Sequence, residues 1–200
     1  MRALAIASAV LILTLGAQAA PSYDCNKAAS AAEKEICRVP NLQWFDRQLT
    51  RLYKLAKEQA GANTPAIIAS QRDFIETRNA CNADSDCIER AYKARLTALS
   101  PQVNVYEPFA EYRSPNGTLT IVRFGFEAGL NILTVGGNGH TCTFETDHAT
   151  VGGKGVIRWR DNACRMDIVP DGESLRIETK NCQDHCGMRA VMDGVFVRQP

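Results

Sequence analysis

Eight cysteines in two sets of four constrain this chain more than any other feature of its sequence. Cys25, Cys37, Cys81 and Cys87 lie in the first half, and Cys142, Cys164, Cys182 and Cys186 in the second. An even set of cysteines can pair only in an oxidising compartment, and the N-terminus offers a route to one. Met1-Arg2 leads into nearly unbroken apolar sequence from Ala3 to Gly16, and Ala17-Gln18-Ala19 has the small residues that a signal peptidase accepts. Residues 1–19 therefore read as a secretory signal peptide. A membrane anchor would want about 20 apolar residues with polar flanks beyond them, and this stretch runs into Pro21 first. Cys25 lies several residues past the expected cleavage point, which argues against a lipid-modified N-terminus. The expectation is a periplasmic or secreted protein without a transmembrane segment.

The even split of the cysteines suggests two stapled units, since small domains bury modest cores and gain from crosslinks. The expected units are a helical domain over residues 20–100 and a small β domain over 101–200, an α+β architecture. Ser30-Ala31-Ala32-Glu33 is a capping box, with a hydroxyl for the first orphan amides and a carboxylate three residues on to reach back. The helix it starts ends near Arg38, because Pro40 disfavours helical geometry at Val39. A second helix over 42–59 places Leu42, Phe45, Leu49, Leu52, Tyr53 and Ala56 on one stripe. Pro65 suits the first position of a third helix that reaches Asn79 with Ile67, Ile68, Phe74 and Ile75 as its apolar face. A fourth carries Ile88, Ala91, Tyr92, Leu96 and Leu99 and stops at Ser100-Pro101. Short connections imply an antiparallel four-helix arrangement.

After Pro101 the period changes to alternation. Candidate strands are 118–124, 130–135, 141–145, 156–160, 164–169, 175–179, 188–192 and 195–198, separated by turns such as Pro170-Asp171-Gly172. This spacing predicts a mostly antiparallel barrel or sandwich, with the barrel preferred.

The capping box makes a Cys25–Cys37 bridge feasible, because one unbroken helix would hold the two cysteines about 18 Å apart. Cys81 and Cys87 flank a polar turn and can also close locally, with crossed pairing between the two sets as the alternative. In the second half the expected pairs are Cys142–Cys164 and Cys182–Cys186.

An ordered set of residues runs through the helical half: Asp24-Cys25, Lys27-Ala28, Glu33, Ile36-Cys37, Leu42, Asp46, Tyr53, Gln71-Arg72, Phe74, Arg78, Cys81, Cys87, Tyr92 and Arg95. In this pattern the half resembles the N-terminal domain of the LprI-type lysozyme inhibitor family of exported bacterial proteins. Phe74 stands where such sequences more often have Trp. The resemblance implies a protein that binds lysozyme or another cell-wall hydrolase. It does not reach the second half, which lacks the Ser-Gly-x-x-Tyr signature of the membrane-bound lysozyme-inhibitor barrels, so their mechanism is not carried over.

Several residues stand out as sites. Asp46 and Arg78 fall on apolar stripes and are expected to form a buried ion pair, because a charge facing a core needs a partner. Gln71 and Arg95 are expected in the same network. Asp24, Glu33 and Glu35 could form an acidic edge for a basic partner, although carboxylates also simply favour a helix start. His140 ends the loop Gly136-Gly137-Asn138-Gly139 and could project a donor toward the paired carboxylates of a muramidase cleft, or merely close a hairpin. Cys182-Gln183-Asp184-His185-Cys186 reads as a disulfide rather than a metal site, for structural zinc wants four enclosing ligands with reduced thiolates. No nucleophile elbow, phosphate loop or zinc-binding histidine pair is present, so no cofactor and no catalytic residue are expected. The 23 basic and 22 acidic residues leave no basic excess for nucleic acid. A steric inhibitor is the leading reading. Its rival is a cell-envelope binding module whose β domain takes a ligand or protein: an apolar cavity in that domain would favour a small ligand, and a filled interior a surface partner.

Overall fold

The computed structural model describes residues 20–161 and 163–200, so the expected signal peptide lies outside the described residues. Four helices come first: α1 Ala31–Arg38, α2 Pro40–Gln59, α3 Thr64–Ala80 and α4 Ser85–Leu99. Eight strands follow: β1 Phe109–Ser114, β2 Gly117–Arg123, β3 Glu127–Val135, β4 Thr141–Val151, β5 Ile157–Arg160, β6 Arg165–Asp171, β7 Ser174–Lys180 and β8 Gly194–Arg198. Each strand pairs antiparallel with the next, and β1 closes on β8 through Tyr112 opposite Arg198 and Arg113 opposite Val197. The architecture is thus α+β with a closed up-and-down barrel. No described helix is long and apolar enough to cross a membrane.

Local chemistry starts the helices as the sequence indicates. The Ser30 hydroxyl accepts from the Glu33 N–H, and the Glu33 carboxylate accepts from the Ser30 N–H, closing the capping box. Asp84 caps α4 by accepting from the Cys87 N–H. The helical core gathers Ile36, Leu42, Phe45, Leu52, Ile88, Tyr92 and Leu96.

Inside the barrel, Tyr112, Leu119, Ile121, Leu130, Phe144, Met166, Ile168, Ile177 and Phe196 belong to one buried cluster. Eight strands leave an interior just wide enough for such side chains to fill. One expected strand is not there. Residues 188–192 alternate like a strand, yet they form a turn at 187–190 and then an unpaired segment, while β1 supplies the missing strand. Only the small Ala110 and the aromatic Tyr112 are buried along β1, and so brief a pattern is easily passed over.

The helices are bound to the barrel wall by a second face of α2. Asn41, Trp44, Arg47, Gln48 and Arg51 recur at three- and four-residue spacing and meet β3 and β4. Trp44, fully buried, donates its indole N–H to the Thr146 carbonyl at 3.1 Å. Asp147 accepts from Arg47 Nε at 2.7 Å and from Gln48 Nε2 at 2.6 Å, and the Arg51 guanidinium donates to the Asp147 carbonyl and to Glu127. Gly129 lies under Gln48: a Cβ there would stand 2.2 Å from Gln48 Oε1, so a larger residue would have to displace the Gln48 side chain.

Candidate functional site

The cysteines place the site. Cys25 pairs with Cys37 and Cys81 with Cys87. In the barrel the bridges are Cys142–Cys186 and Cys164–Cys182, not the expected Cys142–Cys164 and Cys182–Cys186. The reason is topological. Strand β5 stands between β4 and β6, and two strand spacings put those neighbours roughly 9–10 Å apart, beyond disulfide reach. Cys164 precedes β6 and Cys182 follows β7 in a hairpin whose register sets Arg165 opposite Lys180, so these two face each other. Cys186 then comes back against the start of β4, where it forms a bridge with Cys142.

Both bridges staple the same end of the barrel. His185 packs edge-on against Phe144 and Trp159, with ring centroids 5.1 and 5.8 Å away, and helps to close that end. The segment after Cys186 makes a β-turn in which the Ala190 N–H donates to the Gly187 carbonyl at 3.0 Å. Met188 and Arg189 occupy the tip. Arg189 has φ 62°, the left-handed conformation that the third turn position takes most easily as glycine. Met188 is 72% and Val191 55% exposed. Among the described residues Arg189 is exposed and makes neither a hydrogen bond nor an ion pair.

The turn is held on every side. Asn138 Nδ2 donates to the Met188 carbonyl at 2.7 Å, and the Thr134 hydroxyl donates to the Val191 carbonyl at 2.7 Å. His140 is part of this support. A Cβ on Gly187 would lie 2.9 Å from the His140 Cβ and 3.1 Å from its Nδ1, so the histidine lies over the turn's first residue. The 136–140 loop is itself closed, with the Gly136 N–H donating to the His140 carbonyl at 2.7 Å. The 136–140 loop, offered by the sequence as either a projecting donor or a plain hairpin connection, is tied to the turn, and Arg189 is an exposed cation at the turn's tip. Sequence reasoning passed over this arginine because the alternation of 188–192 concealed a turn.

Of the candidate acidic edge Asp24, Glu33 and Glu35, only Asp24 is exposed, and each carboxylate has a local partner at the helix start, the plainer of the two sequence readings. Asp24 accepts from the Asn26 N–H in a short turn. Glu35 is 7% exposed and engaged with Arg38 and the Ser85 hydroxyl. Glu33 is committed to the amides of Ala29 and Ser30, which together hold its carboxyl below the usual range, with Arg78 adding to the shift. A lowered carboxylate pKa contributes stability that is present above the unfolded value and lost as pH falls through the folded one. Thermal melts should therefore show stability declining on acidification below about pH 4.3. Glu33→Gln, which keeps the capping geometry, should flatten that decline; an unchanged pH profile would assign it to other carboxylates.

The expected Asp46–Arg78 ion pair is indirect. Asp46 accepts from the Tyr92 hydroxyl at 2.8 Å and from the Ser22 N–H at 2.7 Å, which occupies both oxygens. Arg78 instead reaches Asn79 Oδ1 at 2.9 Å and Glu33 at 3.7 Å. Burial and the Asp46 charge raise the Tyr92 pKa, while Arg78 on the same hydroxyl opposes the shift. Tyr92 thus joins the two charges without their touching. Arg95 donates to Gln71 at 2.9 Å and to the Ser70 hydroxyl at 3.1 Å, a separate cluster rather than part of this network.

No family model and no solved structure matches the chain. It is 31% identical over 114 residues to lipoprotein LprI of Mycobacterium tuberculosis and of Mycobacterium bovis, an alignment covering 54% of this chain and 57% of each relative. The chain therefore spans little more than half the length of the curated relatives it matches. Over that span, the chain is similar to the mycobacterial LprI lipoproteins.

Proposed function

We propose that the chain is an exported, lysozyme-inhibitor-like protein that acts by sterically occluding a muramidase or another cell-envelope hydrolase, without a reaction of its own. The turn at 187–190 carries this reading. It offers an unpartnered guanidinium between exposed Met188 and Val191, on a base held by the Cys142–Cys186 bridge and two side-chain hydrogen bonds. A guanidinium fork matches carboxylate geometry, and a muramidase cleft presents two carboxylates. A pre-ordered turn also loses little freedom on binding, which leaves more of the contact energy as affinity. The LprI-like similarity supports the class of partner, and four disulfides fit a periplasmic or secreted setting.

The test is slowing of cell-wall lysis. Purified protein at stoichiometric amounts should inhibit at least one animal or bacterial lysozyme, and unimpaired lysis across several lysozyme classes would remove the proposal. Arg189→Gly separates binding from folding. It relieves the left-handed strain and should raise stability by about 1 kcal/mol, yet weaken inhibition at least tenfold, about the effect of a modest interface anchor. Full inhibition by this variant would move the contact to another face.

A further inference from the structure

The barrel's other end is open, unlike the end stapled by the two disulfides. There the chain enters from α4 through 103–108, and a cleft of about 1090 Å³ opens among this segment, the β2–β3 turn, the 152–155 loop and the β6–β7 turn. Tyr112 and Leu175 form its apolar floor. Two aromatic rings stand on its rim, Tyr106 at 82% and Phe126 at 85% exposure. Single exposed apolar residues are ordinary on protein surfaces. Two large rings bordering one concavity, over a buried arginine paired with a partly buried carboxylate, have instead the composition of a ligand site, and barrel mouths are a common location for one.

The polar set is built around Glu107. Arg123 continues the inward-facing row of Leu119 and Ile121, so its guanidinium rises from within the barrel; it is 7% exposed. Its Nη1 donates to the Glu107 carbonyl at 3.1 Å and to the carboxylate at 3.4 Å. Arg198, from the last strand, donates to the other carboxylate oxygen. Glu107 has φ 44°, so its backbone is held in the left-handed region by this arrangement. Lys154 and Glu173 add one charge of each sign to the lining.

This chemistry discriminates among ligands. A wholly apolar molecule would strip water from the Glu107–Arg198 pair without replacing its hydrogen bonds, which is costly. A simple anion would find Glu107 already occupying both arginines. A sugar ring has what both alternatives lack: C–H faces that lie against aromatic rings, and equatorial hydroxyls that donate to a carboxylate while accepting from a guanidinium or ammonium group. We propose that this cleft binds an oligosaccharide, with pyranose rings against Tyr106 and Phe126 and hydroxyls on Glu107, Arg198 and Lys154. The site is independent of the 187–190 turn at the other end of the barrel, and so of the inhibitor reading.

The test is calorimetric titration of the full exported chain with two probes, an N-acetylglucosamine tetramer and an unmodified glucose tetramer. Saturable binding of either supports the proposal, and the difference between them reports whether acetamido groups are read. Tyr106→Ala with Phe126→Ala together should weaken binding at least about tenfold, while the melting temperature stays unchanged because both rings are exposed. Arg189→Gly should bind the sugar as the parent does, whatever it does to lysozyme. Absence of binding of both probes up to about 10 mM, or equal affinity in the double variant, would overturn the site, as would loss of binding in Arg189→Gly.

Discussion

Trp44→Ala is expected to lower stability by about 3–5 kcal/mol, the range for emptying a fully buried large aromatic site. The loss has two parts. The indole is fully buried and packs edge-on against Phe45 at 5.0 Å, so truncation leaves a void that the α2 backbone cannot collapse to fill. It also leaves the Thr146 carbonyl without its indole donor at the contact between helices and barrel. The neighbouring contacts, Arg47 and Gln48 to Asp147 and Arg51 to Glu127, would keep the two layers in register. The two ion pairs are partly exposed, and such pairs each contribute only about 0–1 kcal/mol, while the Gln48 hydrogen bond contributes about 1 kcal/mol. Denaturant unfolding followed by helical circular dichroism and by Trp159 fluorescence should give one transition in the parent and two separated transitions in the variant. A single transition shifted by less than about 1 kcal/mol would show that the polar stripe, not the indole, couples helices to barrel.

The second large effect is expected from Cys142→Ser with Cys186→Ser. This bridge closes a separation of 44 residues, a loop worth about 4 kcal/mol of denatured-state entropy if it closed alone. Cys164–Cys182, with a separation of 18, is nested inside it and already shortens the free loop, which brings the expected loss to about 3.5 kcal/mol. Function should respond differently from stability. The 187–190 turn hangs directly from Cys186, so this variant should lose lysozyme inhibition at temperatures where the barrel is still folded. Cys25→Ser with Cys37→Ser should lower the melting temperature and spare inhibition, because that bridge joins two segments of the helical half and does not anchor the 187–190 turn. Inhibition retained without Cys142–Cys186 would mean that the turn is not the contact.

The helical layer was largely legible because its signals are local. A capping box acts across three residues, a proline at the first turn acts on its own backbone, and an apolar stripe is a property of one helix. The short bridges Cys25–Cys37 and Cys81–Cys87 belong to the same class, since each closes around one turn of chain. The second face of α2 was hidden for a physical reason. Apolar periodicity marks only what is buried among hydrocarbon, and Asn41, Arg47, Gln48 and Arg51 are held against the barrel by hydrogen bonds and ion pairs instead. Asp46 and Arg78 are both buried, and their connection through the Tyr92 hydroxyl depends on where three helices cross.

Taken alone, the sequence determined the helices and most of the strands, the cysteine-rich character and the change from helical to alternating period at Pro101, because each of these arises between residues close along the chain. Closure of the barrel, the Cys142–Cys186 and Cys164–Cys182 pairing, and the exposure of Arg189 were decided only by the tertiary structure. All three depend on which strands become neighbours: once β5 separates β4 from β6 and β7 lies beside β6, the sulfurs have one set of partners within reach, and the chain after Cys186 has room only to turn outward.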